Sequence, residues 1–479
     1  MKVTQGSFAK FVYSFVFSMQ SFEERVKTFS QREHKTLGWS VEKLPIDELL
    51  MHVADYINPL QGKPATAHAW SLSEDSLKAW RDGNARWELL TRYGGRDVSI
   101  EFEFVKVELF LFHLGVGFLI VTANPKGDVL EDWLDFLHFF RFLGGQRDVL
   151  IHAEERNPSR RGNQGVLDAD ASRYSGTTFD HVCELLQSLR LDKEDRIWWE
   201  EVFIHNQLLP FCSLFVDGIP HTDVAPLLYR VRNFSPARRE LHPSAVDLSG
   251  DNERILPYAD KEWFLFSLDG GSFVACNETD SEFFRATLPD HVRRHYFLLF
   301  ILVLYQRFAL TSLSMDVAKS WIVEGERREG EGVGYQQLKQ HFERIHDKLL
   351  SFTARAYLRQ VMQREHHHRY YRRWRETFQI DESYQDVSAE VREMHSFLMV
   401  RATEEEERST KRLETTISMI AVLIGIPSLI FAFLGINLTG VTLQRTGIPI
   451  GLPIWLPILI GGCGIFLVGI ALRILRRRV

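Results

Sequence analysis

The chain has 479 residues, of which 45% are hydrophobic and 25% charged, and its net charge at neutral pH is −6. That is ample apolar material for a soluble core and further helices besides, while the acidic balance argues against nucleic acid as the main partner. Four cysteines (Cys183, Cys212, Cys276, Cys463) show no C-x-x-C spacing, which argues against a disulfide framework. The first residues, Met1 to Ser7, lack the charged-then-apolar profile of a secretory signal.

Residues 8–19 alternate aromatic and smaller side chains (Phe11, Tyr13, Phe15, Phe17) and read as a strand. Trp70–Leu90 carries Trp80 and Trp87 among charges, without a single clear period. Val98–Phe112 alternates Ile100, Phe102 and Phe104, His113-Leu114-Gly115 supplies a turn, and Val116–Ala123 returns, which predicts a β-hairpin. Two apolar strands of this length need a covering layer, and a helix such as Asp132–Leu143 is expected to provide it. Ala153–Thr178, rich in Arg, Asn, Ser, Gly and Asp, reads as an exposed loop in which Arg156, Arg160 and Arg161 are either solvated or in contact with an anion. Trp263–Leu268 and Ser272–Ala275 flank Asp269-Gly270-Gly271, the signature of a second hairpin. The expected fold class is α+β, a mixed sheet covered by helices over residues 1–289, with a polar insertion near 153–178.

Long helices follow over 290–386. Asp290–Val323 reads as a helix whose Tyr296–Tyr305 portion is apolar all round. That run is well short of the ~20 apolar residues needed to cross a bilayer, so burial against the sheet is expected. Glu324–Gly334 contains several glycines but lacks the preceding strand and the Lys-Ser/Thr of a phosphate loop, and reads as a linker. Gln336–Phe378 predicts one helix of about forty residues, with Phe342, Ile345, Leu349, Phe352 and Ala356 on one face. Its end is basic and aromatic. Arg369, Arg372, Arg373 and Arg375 offer a patch for anions or anionic lipid headgroups, against the simpler reading of a solvated face. His366, His367 and His368 are adjacent, point in different directions on a helix, and cannot converge on one metal ion.

Val387, Val391, Met394, Leu398 and Ala402 recur at spacings of four and three, as an associating helix face should. This stalk, 387–434, runs through the polar stretch Glu404–Arg412 into the apolar run Ile417–Leu434 without an interrupting Pro or Gly before the run begins. One continuous helix over that span would be roughly 70 Å long. A second apolar run, Pro453–Leu472, lies within a predicted span at 453–474, and each run is long enough to cross a bilayer. Arg408, Lys411 and Arg412 precede the first run, and the basic tail 475–479 with Arg473 closes the second, while the loop 435–452 carries only Arg445. Positive residues stay on the cytoplasmic side, so two spans with both termini in the cytoplasm are expected, in a cell (inner) membrane.

This arrangement resembles the CorA/ZntB-like metal ion transporter family, in which a Gly-x-Asn signature ends the first of two C-terminal spans. Here the signature reads Gly435-Ile436-Asn437, preceded by Phe431-Ala432-Phe433-Leu434. The close resemblance covers roughly residues 387–479, and more loosely the preceding soluble region, which is longer than in a typical member. It implies a homopentamer with a cytoplasmic α/β domain, a long helix that becomes the first span and lines a pore, and a second span around it. The transported ion would be a divalent metal cation, Mg²⁺ foremost, with no tightly bound cofactor. No Ser/His/Asp, P-loop or zinc arrangement stands out, so an enzyme is not expected.

Mg²⁺ gives up its water reluctantly, and five copies of Asn437 would present amide oxygens to the hydrated ion, with Gly435 letting backbone carbonyls come close. Asn437 is equally suited to capping the helix end. Going inward, Ser428, Gly425, Ala421, Ile417 and Glu414 share a helical face. Ser428 could bond an ion's water shell, Ala421 and Ile417 would make an apolar constriction able to gate by dewetting, and Glu414 an acidic ring. Ser428 and Gly425 also suit close packing between spans. Pro427 leaves the carbonyl of Leu423 without its usual donor and offers a kink. Arg476, Arg477 and Arg478 form either a basic barrier or a topology anchor.

The chain departs from the family in its external loop. Residues 438–452 hold no Asp or Glu, and Arg445 would add a positive ring, which weakens the case for divalent cation uptake and admits anions or mixed small ions. Two alternatives follow. One is a ligand-gated CorA-like effector channel, of the kind found with type III CRISPR defence systems, opened by a nucleotide second messenger, although no nucleotide motif is present. The other is a non-conducting membrane-anchored scaffold.

Overall fold

The computed structural model describes residues 1–19, 22–31, 38–57, 65–80, 85–142, 150–155, 201–204, 207–249, 252–276, 282–325 and 332–441. Met1–Val391 forms one compact unit and Arg392–Val479 a second. The strands are β1 (Lys2–Val3), β2 (Phe8–Val16), β3 (Trp39–Val41), β4 (Ala67–Leu72), β5 (Ala85–Tyr93), β6 (Arg96–Phe112), β7 (Val116–Pro125), β8 (Leu150–Glu155), β9 (Glu201–Val202), β10 (Leu209–Asp217), β11 (Ile255–Ala259), β12 (Glu262–Ser267) and β13 (Gly270–Ala275). The helices are α1 (Phe22–Gln31), α2 (Met51–Ile57), α3 (Glu74–Trp80), α4 (Leu130–Phe139), α5 (His221–Arg232), α6 (Leu288–His291), α7 (Phe297–Gly325), α8 (Gly332–Arg355), α9 (Glu365–Thr377) and α10 (Ile380–Val441).

The strands make one mixed sheet whose main path runs β11-β12-β13-β10-β2-β7-β6-β4-β3. All pairs are antiparallel except β10 with β13. A parallel pair needs a crossover, and the chain between these two strands supplies one through α5 and the strands β11 and β12. Both expected hairpins are present, β6–β7 about His113-Leu114-Gly115 and β12–β13 about Leu268-Asp269. At the first turn Gly115 has φ +80°, and a Cβ there would stand 2.3 Å from the Phe17 carbonyl oxygen. Only glycine fits that turn. The covering helix lies at Leu130–Phe139, slightly ahead of the expected Asp132–Leu143. The uncertain stretch Trp70–Leu90 resolves into the end of β4, α3 and the start of β5. Ala153–Glu155, expected as the start of an exposed loop, ends β8; the remainder of that loop, with Arg156, Arg160 and Arg161, lies outside the described residues.

Strand β2 is buried along almost its whole length, because both faces of the sheet are covered. On one face Phe11 meets Phe136 of α4 and Phe140 at its C-cap, with ring centroids 5.8 and 4.4 Å away. On the other, α7 packs Tyr305 on Phe112 at 4.1 Å, Phe308 near Phe118, and Phe297 and Phe300 each 5.2 Å from Phe211. Helix α9 extends this layer over β12, where Trp374 and Tyr370 lie against Phe266 and Phe264. Gly271 makes room for Trp374, since a Cβ there would come 2.5 Å from its ring.

Layers on both sides explain α7. Leu298 through Leu304 are all buried, so no face of this stretch of the helix is left for solvent or lipid. Its apolar-all-round sequence is that of a core helix, as expected. The chain just ahead is wound more loosely, with π-helical turns at Phe283–Thr287 and Val292–Tyr296 on either side of α6.

The expectation of one long helix fails. Gln336–Phe378 is not a single helix but α8 and α9, separated by an irregular segment at 356–364. The backbone there pairs with another part of the chain: Leu50 N–H donates to the Val361 carbonyl at 2.8 Å, and Leu49 bridges Met362. The Leu358 carbonyl is taken by the Tyr371 hydroxyl and by Arg375. Tertiary partners thus replace the helical hydrogen bonds that local propensity would favour.

Candidate membrane helix and its approaches

Helix α10 is 62 residues long, about 93 Å at the usual rise. The stalk stripe follows the predicted spacing: Val387, Val391 and Met394 are buried, and Leu398 and Ala402 half-buried. From Glu404 to Leu429 no residue of the helix is buried and nearly all are exposed. Thr410, Thr415 and Thr416 return their hydroxyls to carbonyls of their own helix, at 2.9, 2.7 and 2.8 Å, so these polar groups are satisfied within the helix as it enters its apolar part.

That apolar part is bare. Within Ile380–Leu429 the most hydropathic window has none of its residues buried, and Ile417, Ile424 and Leu429 are 63%, 61% and 74% exposed. Glu414, Ile417, Ala421, Gly425 and Ser428, the predicted pore face, are all exposed on this surface. A Cβ added at Gly425 would meet nothing within 4 Å among the described residues. The helix passes through Pro427 without ending.

The helix also continues past the expected break. Gly435, Ile436 and Asn437 lie within α10, which runs to Val441, so the tripeptide does not terminate the helix at Leu434 as expected. Glycine in a helix costs only about 1 kcal/mol relative to alanine, and neither Ile436 nor Asn437 forces an exit. Arg445, the expected second span at 453–474 and Arg476, Arg477 and Arg478 lie outside the described residues.

The basic aromatic run on α9 is two-faced. His367, Tyr370, Tyr371, Trp374 and Arg375 are buried, whereas Arg369 and Arg372 are exposed and Arg373 half-buried. Arg372 and Arg373 both pair with Glu376, at 3.4 and 3.3 Å. Arg375, expected in the anion or lipid patch, belongs instead to the core. Its guanidinium donates to Gln306 Oε1 at 2.9 Å, to the Leu358 carbonyl at 2.6 Å and to Asp381. Burial tends to raise the Asp381 carboxyl, but the Tyr357 hydroxyl and Arg375 hold it below its ordinary value. Gln306, the polar residue that interrupts α7, is thereby satisfied together with the Tyr371 hydroxyl, 2.6 Å away.

The three adjacent histidines point differently, as helical geometry requires: His367 is fully buried and His366 and His368 are half-buried. Nothing local marks His291 and His295, however, as approaching the same place. The His367 ring is stacked 6.4 Å from His295, and its Nδ1 is 3.4 Å from Glu48 Oε2. Burial, followed by the neighbouring His366, His295, Arg364 and His291, pushes the His367 ring down to about 3, so it is neutral at physiological pH. No group of three or more His, Cys, Asp or Glu able to hold a metal ion occurs among the described residues.

Two helices among the described residues are long and apolar enough to cross a membrane, and one of them, Phe283–Ser320, is mostly buried in the protein. No family model matches the chain, and no curated protein matches it.

Proposed function

We propose that the chain is one subunit of a homo-oligomeric, CorA-like membrane channel or transporter for small metal cations, with α10 as stalk and pore wall and the sheet unit as a cytoplasmic regulator. The observation that carries this reading is the apolar end of α10, which nothing in the described chain covers. A bare apolar helix of this length is stable only against lipid, against other copies, or both. The buried stripe that precedes it has the spacing by which helices associate. Around a symmetry axis, five copies would bring Asn437 into one ring at the mouth, with Ser428, Gly425, Ala421, Ile417 and Glu414 lining the path inward.

Ion flux into proteoliposomes holding the purified protein tests the reading, with Mg²⁺, Zn²⁺, Ni²⁺ and Cl⁻ in turn beside Asn437→Ala. Divalent flux that collapses in the variant is expected. Flux of Cl⁻ alone would replace the cation with an anion and assign Arg445 the selecting role. Silence for every ion would remove constitutive transport. In that case a second reading, a channel opened by a small-molecule ligand, keeps the same helix, and it is favoured by the charged cleft described next.

A further inference from the structure

A cavity of about 350 Å³ opens between the sheet and the start of α7, lined by residues of β2, β6 and β7, by Lys43 and by Arg293 and Arg294. A second cavity, of about 740 Å³, adjoins it and shares Glu42, Lys43, Leu44 and Arg294. The first lies within the range of small-molecule sites, ~300–1,000 Å³. Its floor is unusual for a sheet. Lys10 on β2 and Glu108 on β6 are both buried, and they reach across the intervening β7 to pair at 2.9 Å. Lys106, displaced by the bulge after Phe104, bonds the other Glu108 oxygen at 3.1 Å and Glu42 at 2.9 Å. Burial alone would raise the Glu108 carboxyl, but the two lysines hold it low and ionised.

The charges sort into balanced and unbalanced groups. Lys10 and Lys106 are matched by Glu108 and Glu42, and Arg294 is matched by Asp290 at 3.6 Å. Arg293 and Lys43 have no carboxylate partner among the described residues; Arg293 instead lies over the Phe8 ring, 5.0 Å from its centre. The cleft therefore carries two uncompensated positive charges. It also holds an unspent hydroxyl. Thr122, 3% exposed, stands opposite both Lys10 and Lys106 in the sheet, and its Oγ1 has no hydrogen-bond partner. A buried hydroxyl left in that state costs free energy that a bound polar ligand would recover. Beside it Asn124 Oδ1 accepts from Ala9 N–H at 2.9 Å, which leaves its amide nitrogen as a further donor.

We propose that this cleft binds a small phosphate-bearing molecule, its dianionic group held between Arg293 and Lys43 above Thr122 and Asn124. Phe8, Phe110 and Phe297 provide an apolar wall for the rest of the ligand, and the adjoining cavity gives room for one larger than a simple phosphate ester. Charge-assisted donors are the strong ones for phosphate. The assignment does not depend on ion conduction.

Calorimetric titration of the detergent-solubilised full chain tests it, with inorganic phosphate, AMP and uncharged adenosine as probes. AMP is expected to bind saturably and adenosine at least ~10-fold more weakly, since the charge-assisted contacts are lost. Arg293→Ala should weaken AMP about 10-fold and Thr122→Val, which keeps the shape, about 3-fold. Denaturant midpoints of the variants no lower than the parent's, with that of Thr122→Val equal or higher because the unpartnered hydroxyl is gone, establish that the cleft is still folded. AMP and adenosine binding equally, or AMP binding unaffected by Arg293→Ala, would overturn the proposal, as would the absence of heat with both phosphate probes.

Discussion

Two helices of this chain are both apolar enough to cross a membrane and differ in what surrounds them. The stretch containing α7 reaches 1.7 and is 83% buried in its most apolar window; that of α10 reaches 1.4 and is 0% buried. By length and composition either could cross a membrane. What separates them is polar bookkeeping along the helix. In α7, Gln306 and Arg307 interrupt the apolar run after Tyr305, and Gln306 is bonded by Arg375 and Tyr371. In α10 the charges stop at Glu414 and the apolar surface continues on all sides.

The sharpest way to break this comparison is to place the same charge in each helix. Leu302→Arg in α7 should prevent folding of the sheet unit, because an unpaired buried charge costs several kcal/mol and has no partner there. Leu429→Arg in α10 should leave that unit's urea unfolding transition unchanged. It should instead reduce membrane incorporation, by about 3 kcal/mol at the centre of a span. Equal effects of the two on either measurement would erase the distinction.

A smaller effect is expected at the link that anchors α9 to α7. Arg375→Ala strands Gln306 Oε1, leaves the Leu358 carbonyl with only the Tyr371 hydroxyl, and should cost roughly 3 kcal/mol in denaturant unfolding. Arg372→Ala, whose pairing with Glu376 is exposed, should stay within about 0.5 kcal/mol. Similar losses at both would return Arg375 to the surface patch.

The smallest effect is a pH slope. With His367 near 3 when folded and about 6.5 when unfolded, the unfolded chain binds the extra proton between those values. Stability should therefore fall as the pH drops below about 6.5, by about 1.4 kcal/mol per pH unit from this ring. Glu48, His291, His295, His366 and Arg364 surround the group, and of these only Glu48 opposes the effect. Urea midpoints measured from about pH 7.5 down to about pH 5 should show a shallower slope in His367→Gln than in the parent. Identical slopes would remove His367 as the source.

Much of this architecture is legible in the sequence. Alternation with turn residues marks both hairpins, and the short apolar run ending at Gln306 marks α7 as a core helix. The stripe from Val387 to Ala402 announces the stalk. Other features are not local. No Gly or Pro signals the break at 356–364, because it is made by pairing with Leu49 and Leu50. The position of Arg375 in the core depends on Gln306, 69 residues away. Lys10 is visible as the one charge in β2 and Glu108 as the last of several charges in β6, yet that they meet, and that Arg293 and Thr122 share their cleft, follows only from the order β2-β7-β6 and the helix laid over it. The helical passage through Gly435-Ile436-Asn437 was equally hidden, since glycine and asparagine end helices more often than they continue them.

The account turns on what covers the bare end of α10. Photolabelling of the full chain in liposomes, with an activatable group carried on the lipid acyl chain and peptides mapped by mass spectrometry, reads this directly. Label is predicted along Ile417–Leu429 and absent from Phe297–Tyr305. Label in both helices, or an unlabelled α10, would contradict the assignment of α10 to the membrane and of α7 to the core.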